Sequence, residues 1–218
     1  MKVSTNTQDI NCFYLNDEFK NIGHLRSIKK GQTLYAKGES HGGFYYILSG
    51  LMGLVDIAPN GSESLLRVFG QNYFTAYRSF LAGEVCNATS TALTDVNYLY
   101  FEFSDARDLL RTFPEVYVHL TKTLCHDLRI AEERLNDLTG KRVINRIIEA
   151  LIFLKKKDPH YVWTRREIGE FCSATTETVT RAFSKLEKVG LIEKDGRDIL
   201  ISDVDKLLGY SNQLESQV

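Results

Sequence analysis

Residues 163–192 read WTRREIGEFCSATTETVTRAFSKLEKVGLI. This pattern fits two short helices joined by a tight turn. Thr164 followed by Glu167 is a capping box, in which each residue satisfies a backbone donor of the other at a helix start. Ile168 and Phe171 give the first helix one apolar face, and Ser173-Ala174-Thr175 closes it. Thr175 caps a second helix, where Val179, Ala182, Phe183 and Leu186 recur at helical spacing. Gly190 ends that helix, with Lys185 and Lys188 in its last turns, where the dipole favours cations. The spacing predicts a helix-turn-helix.

The other face of the second helix carries Thr176, Glu177, Thr180, Arg181 and Lys185. These residue types suit a base-pair edge. Arginine grips guanine at two atoms, glutamate accepts from the cytosine amine, and threonine meets a thymine methyl or a phosphate. Thr164 and Arg165 at the first helix start, with Thr175 and Thr178 at the second, complete the candidate DNA-contacting set. A solvated helical hairpin whose charges merely face water is the competing reading. The segment Glu193-Lys194-Asp195-Gly196-Arg197-Asp198-Ile199-Leu200-Ile201 favours DNA, because an Asp-Gly turn between β-type runs predicts a hairpin. A hairpin directly after such a helix is a wing, and Lys194 and Arg197 would bring charge to phosphates.

Composition bounds the rest. The chain has 218 residues and a net charge of −1, so it is not a general polyanion binder. Residues 140–218 hold 14 Lys/Arg against 12 Asp/Glu, and the remainder 13 against 16, an asymmetry of the right sign but small. Cys12, Cys86, Cys125 and Cys172 are scattered singly, which argues against a zinc or iron–sulfur site and for reduced thiols in the cytoplasm. No apolar run reaches membrane-spanning length, and no signal-peptide core opens the chain.

Residues 1–22 are polar and mixed, with helical turns at most around Asn16–Ile22. From His24 to Phe103, short β-type runs alternate with glycine: Gly31–Gly38, Gly42–Gly50, Leu51–Ile57, a Pro59-Asn60-Gly61 turn, Leu65–Phe69 and Tyr98–Phe103. Many short strands at regular spacing suggest a small antiparallel barrel or jelly roll. A helix opens across Ser104–Leu110, and Pro114 suits the first turn of a longer one. There Tyr117, Thr121, Leu124, Leu128, Ala131, Leu135 and Leu138 recur at alternating spacings of four and three, an a/d seam. From Pro114 to Leu138 such a helix is about 37 Å long. The narrow seam favours a parallel dimer over packing on its own domain. Thr139-Gly140 breaks the seam and marks a hinge; Lys141–Lys157 then forms an amphipathic helix with Val143, Ile144, Ile147, Ile148, Leu151, Ile152 and Leu154 inside, and Asp203–Tyr210 adds a terminal helix.

This order, β-roll then dimer helix then winged helix-turn-helix, resembles the CRP/FNR family of bacterial transcription regulators from about Gly31 to Ile201. The most specific parts are Thr164–Gly169, Glu177–Arg181 and the glycine frame Gly31, Gly38 and Gly50. The resemblance implies an α+β fold: a cyclic-nucleotide-binding-like β-roll over residues 1–112, a dimerisation helix and hinge over 113–139, and a winged helix-turn-helix over 140–218. It implies a non-enzymatic, homodimeric regulator on palindromic DNA, with RNA polymerase as partner and a small-molecule effector open. Glu177 and Arg181 stand where the family reads a G·C-containing half-site. Thr176 replaces the arginine of the CRP branch, and Thr180 stands where the FNR branch has serine.

The family's cyclic-AMP contacts are not matched. The ribose glutamate position is Ala76, the phosphate arginine and serine positions are Cys86 and Asn87, and the adenine-holding pair on the dimer helix is Ala131-Glu132. A buried phosphate without its arginine lacks its bidentate partner, so no tight cyclic-AMP binding is expected and no cofactor is assigned. The effector-pocket candidates are Ala76, Tyr77, Arg78, Ser79, Cys86, Asn87, Ala88, Leu124 and Leu128. Arg78 and Ser79 could serve another anion or simply pair within the domain. The FNR iron–sulfur cluster needs several N-terminal cysteines, and only Cys12 is there. Haem, for a gas- or redox-responsive member, would need a histidine or cysteine ligand, and His24, His41, His119, His126 and His160 are dispersed. The rival functions are a cupin-like metal enzyme, disfavoured by the lack of a His-x-His motif, and a cyclic-nucleotide-binding regulatory module that does not touch DNA.

Overall fold

The computed structural model describes residues 15–58 and 61–215. Cys12, Pro59 and Asn60 lie outside them. The N-terminal half is built from a short helix α1 (Asp17–Asn21) and strands β1 (His24–Ile28), β2 (Thr33–Tyr35), β3 (Gly43–Ser49), β4 (Met52–Ile57), β5 (Glu63–Phe69) and β6 (Phe74–Thr75). Helix α2 (Tyr77–Ala82), strands β7 (Thr89–Ala92) and β8 (Val96–Glu102), and helix α3 (Ala106–Thr112) complete it. The strands form two four-stranded sheets, ordered β1-β8-β3-β6 and β2-β7-β4-β5. The pairs β1–β8, β3–β8, β3–β6, β2–β7 and β4–β7 are antiparallel, with Tyr45 of β3 opposite both Tyr100 of β8 and Thr75 of β6. The expected β-roll is therefore present, with β1, β6 and β7 added to the runs legible in the sequence.

Aromatic side chains fill the roll. Phe19 is wholly buried, 4.2 Å from the Phe101 ring in a stacked arrangement and 4.9 Å from Phe113 edge-on. Asn16 caps α1 by accepting from the Phe19 amide at 2.8 Å. Truncating a buried phenylalanine costs about 3–5 kcal/mol, so this short helix plugs the roll. Gly43 is required by β3 pairing, since a Cβ there would lie 1.9 Å from the Phe101 carbonyl oxygen.

Helix α4 runs from Pro114 to Gly140. The C-terminal elements are α5 (Val143–Lys157), α6 (Arg165–Cys172), α7 (Thr176–Lys188), strands β9 (Ile192–Asp195) and β10 (Asp198–Ile201), and α8 (Val204–Glu215). Two compact units result. One holds the roll and α4 as far as Ile130; the other runs from Ala131 through α8 and also counts Ser62–Leu66. The division thus falls inside α4; Thr139 and Gly140, the hinge marked from the sequence, are the last two residues of that helix. Ile147, Ile148, Leu151, Ile152 and Leu154 are buried in α5 as expected. Val143 is a correction: at the first turn of α5 it is exposed, and the buried first-turn residue is Asn145, whose amide donates to the Ser211 carbonyl.

Candidate nucleic-acid interface and effector pocket

The capping box is present atom for atom. Thr164 Oγ1 accepts from the Glu167 amide at 3.1 Å, and Glu167 Oε2 accepts from the Thr164 amide at 2.8 Å. The Tyr161 hydroxyl donates to the other carboxylate oxygen at 2.6 Å. The turn after α6 uses Ser173 in the left-handed region, φ 55°. Gly169 permits it, because a Cβ there would meet the Ala174 carbonyl at 2.5 Å. Thr175 Oγ1 accepts from the Thr178 amide at 3.2 Å and starts α7. Val179, Ala182, Phe183 and Leu186 are buried with Ile168 and Phe171.

That commitment of one face leaves the other open. Thr176, Glu177, Thr180, Arg181 and Lys185 are all exposed, in a row on α7. The Thr180 hydroxyl donates to the Thr176 carbonyl at 2.8 Å, so its polar end is already engaged. Arg181 Nη2 donates to Thr178 Oγ1 at 3.2 Å. The Glu177 carboxyl is held below the ordinary glutamate range by its own amide, then the Thr175 hydroxyl and the Arg181 charge. It is therefore an ionised acceptor at neutral pH. Arg165, half-buried, lies 5.9 Å over the Phe183 ring. The wing forms as expected, with Asp195 paired to Asp198 and Gly196 at φ 58° in the turn. Lys194 and Arg197 are exposed on it, and Lys194 forms an ion pair with Glu187 of α7.

Two arginines missing from the predicted set support this unit. Arg146 of α5 donates to the carbonyls of Cys172 at 3.2 Å and Ser173 at 3.4 Å. Arg134 of α4 donates to the Phe171 carbonyl at 2.5 Å and lies 4.6 Å over the Phe171 ring. Together they satisfy the last carbonyls of α6, which no residue of the helix can reach. Nothing local in the sequence announces contacts across such separations.

In the roll, Ala76, Arg78, Ser79, Cys86 and Asn87 line one small cavity, also bounded by Tyr35 and Tyr73. It holds about 20 Å³, room for about one water. The Tyr35 hydroxyl and Thr75 Oγ1 share a hydrogen bond of 2.6 Å. Cys86 is buried, and burial raises its thiol above the usual range. Four candidates fall elsewhere. Ala88 is packed in the core, and Leu124 and Leu128 are exposed on α4 rather than lining the cavity. Tyr77 turns its hydroxyl to Asp127 of α4, donating to Oδ2 at 2.7 Å.

Helix α4 has two faces. Val116, Leu120, Thr123 and Asp127 are buried. One residue further round, Thr121, Leu124, Leu128, Ala131, Leu135 and Leu138 are exposed, and Tyr117 is half-buried. Leu128 is 59% and Leu135 64% exposed. Among the described residues no three His, Cys, Asp or Glu side chains converge as a metal site, and no helix is long and apolar enough to cross a membrane.

An α+β chain with a two-sheet roll, a long helix and a winged helix-turn-helix defines a class of DNA-binding regulators. The comparisons agree. The family description "Cyclic nucleotide-binding domain" matches residues 25–113, and "Crp-like helix-turn-helix domain" matches residues 145–210. The chain is 27% identical over 187 residues to the CRP-like cAMP-activated global transcriptional regulator of Mycobacterium tuberculosis, covering 82% of this chain and 84% of that one. It is 25% identical over 187 residues to the cAMP-activated global transcriptional regulator CRP of Escherichia coli O157:H7, covering 82% and 89%. Among solved structures, a CRP/FNR-family regulator of Thermus thermophilus superposes with a TM-score of 0.75 at 23% identity, over 87% of this chain and 98% of that one. FixK2 of Bradyrhizobium japonicum gives 0.71 at 20%, over 86% and 96%. The chain belongs to the CRP/FNR family and is a transcription regulator with a DNA-binding helix-turn-helix.

Proposed function

We propose that this regulator acts as a homodimer on an inverted-repeat DNA site and does so without cyclic AMP. The observation that carries the reading is the exposed row Thr176, Glu177, Thr180, Arg181 and Lys185 on a helix whose other face is wholly committed to the core. Arg181 takes the guanine and Glu177 the opposing cytosine amine. Thr176, lacking the reach of an arginine, moves the preferred half-site away from TGTGA and towards TTGAT. Thr164, Arg165, Thr175, Lys194 and Arg197 contact phosphates and set the register. The exposed apolar seam of α4 is the dimer contact, which places two recognition helices in successive major grooves about 34–36 Å apart. Where the site lies relative to RNA polymerase then decides between activation and repression.

Cyclic AMP does not fit the residues present. Ala76 offers the ribose no acceptor, and Cys86 is a buried protonated thiol where the phosphate would need a cation. The test is selection of fragmented host DNA by the purified protein with no ligand added. A palindrome with half-sites one helical turn apart supports the reading. TGTGA half-sites would overturn the Thr176 assignment, and sub-micromolar cyclic-AMP binding by calorimetry would overturn the ligand assignment.

A further inference from the structure

The β-roll contains one buried polar cluster that the DNA reading leaves unused. Asp127, 4% exposed, projects from α4 into the roll. Its Oδ2 accepts from the Tyr73 hydroxyl at 2.9 Å and the Tyr77 hydroxyl at 2.7 Å, and it forms an ion pair with Arg67. Arg67 Nη1 also donates to the Tyr73 hydroxyl at 2.8 Å. Arg67 comes from β5, Tyr73 from the turn before β6, and Tyr77 from the start of α2. Three separate segments of the roll therefore grip one carboxylate on the helix. Burial, first among several causes, raises both phenols above the ordinary tyrosine range, so both stay protonated donors at neutral pH.

We propose that Asp127 is a positioning residue for DNA binding, a built-in counterpart of a bound effector that fastens α4 to the roll from inside. The family resemblance puts the effector between roll and dimer helix; here the cavity holds about 20 Å³ and borders Arg67 and Tyr73 themselves. A carboxylate drawn into the interior is costly unless fully paired, and losing one partner leaves an uncompensated charge. Displacing α4 from the roll would strand Asp127 and Arg67 together. The cluster thus selects one placement of α4, the task that differential ligand affinity performs in a ligand-switched protein. This inference rests on the DNA-binding reading.

The test uses the full chain with no ligand and a labelled DNA carrying the selected palindrome, read by fluorescence anisotropy. Asp127→Asn keeps the shape and removes the charge; the double variant Tyr73→Phe with Tyr77→Phe removes two hydrogen bonds and keeps the ion pair. Operator affinity is expected to fall at least about ten-fold in each, within the usual range of coupling between sites, while binding to random DNA and the sedimentation of the protein stay unchanged. If Asp127→Asn does not fold, the double variant alone carries the test. Wild-type operator affinity in both variants overturns the proposal, and so does a wild type that binds the operator only when cyclic AMP is added. Should the wild type prefer no DNA over what Arg181→Ala binds, the DNA reading fails by itself. The cluster is then judged by amide hydrogen exchange in residues 116–130: faster exchange in Asp127→Asn supports the fastening of α4, and unchanged exchange overturns it.

Discussion

Truncating Leu128 to alanine tests the dimer seam and allows its size to be worked out. The substitution removes three carbons, about 2.4 kcal/mol for a side chain passing fully from water to an apolar contact. Leu128 is 59% exposed on its own chain, so a partner can cover about six-tenths of it, or about 1.4 kcal/mol. Twofold symmetry counts the change twice, which gives about 3 kcal/mol and a dimer dissociation constant raised about 100-fold. Folding of the single chain should hardly change, because little of this side chain is buried there. Sedimentation equilibrium at several loading concentrations measures the constant, and thermal melting checks the fold. Lys122→Ala, exposed on the same helix but off the seam, is the control and should leave the constant unchanged. An unaltered constant in Leu128→Ala would refute the reasoning, as would a wild type that remains monomeric where it binds DNA.

Arg181→Ala should relax the preference at one guanine by about 1–3 kcal/mol, seen as a flattened position in a repeated binding-site selection; full discrimination would show that α7 does not read that base. Changing Lys194 or Arg197 to alanine should instead weaken binding to all sequences alike, and each should reduce the slope of log affinity against log salt by about 1. Thr164→Ala removes the cap of α6 and should lower stability by about 1 kcal/mol in denaturant titration, with base preference unchanged. The Cys172 thiol is pushed up to about 11 by burial. Its folded value lies above its unfolded one, so this contribution is fully present below about pH 8.5 and is lost as pH rises towards 11. Over that window the wild type should lose more stability than Cys172→Ala, and parallel curves would refute it.

What could be read from the sequence was local or periodic. Thr164 with Glu167, Thr175 and the Asp195-Gly196 turn satisfy backbone groups within a few residues, so their spacing alone carries the geometry. The α4 seam was legible because an open helical stripe leaves an unbroken period. What escaped depends on contacts between distant segments. Phe19 lies in a stretch of mixed polarity and is recognisable as a plug only once Phe101 and Phe113 surround it. Arg67 and Asp127 meet across 60 positions, and neither has a neighbour that hints at the other. Leu124 and Leu128 were assigned both to the seam and to the pocket. The structure gives both to the open stripe, since the buried side of α4 carries Thr123 and Asp127, each a single position away. The same holds for Arg134 and Arg146, which look like surface charges until the end of α6 is placed against them.

That single position has a consequence for how α4 tolerates insertion. Each helical residue turns the chain by about 100°, and the buried set Val116, Leu120, Thr123 and Asp127 precedes half-buried Tyr117 and the exposed Thr121, Leu124 and Leu128 by one step throughout. One residue added just before Val116 would carry the buried set into the places of the open stripe, bringing the Asp127 carboxylate out to solvent, while a single deletion there would turn Leu128 into the roll. Both readings of the helix share one frame, and short changes return the two faces together only at seven or eleven residues, each with about 20° of drift. Length variation along α4 is thus confined to such steps, a restriction set by its two committed faces together.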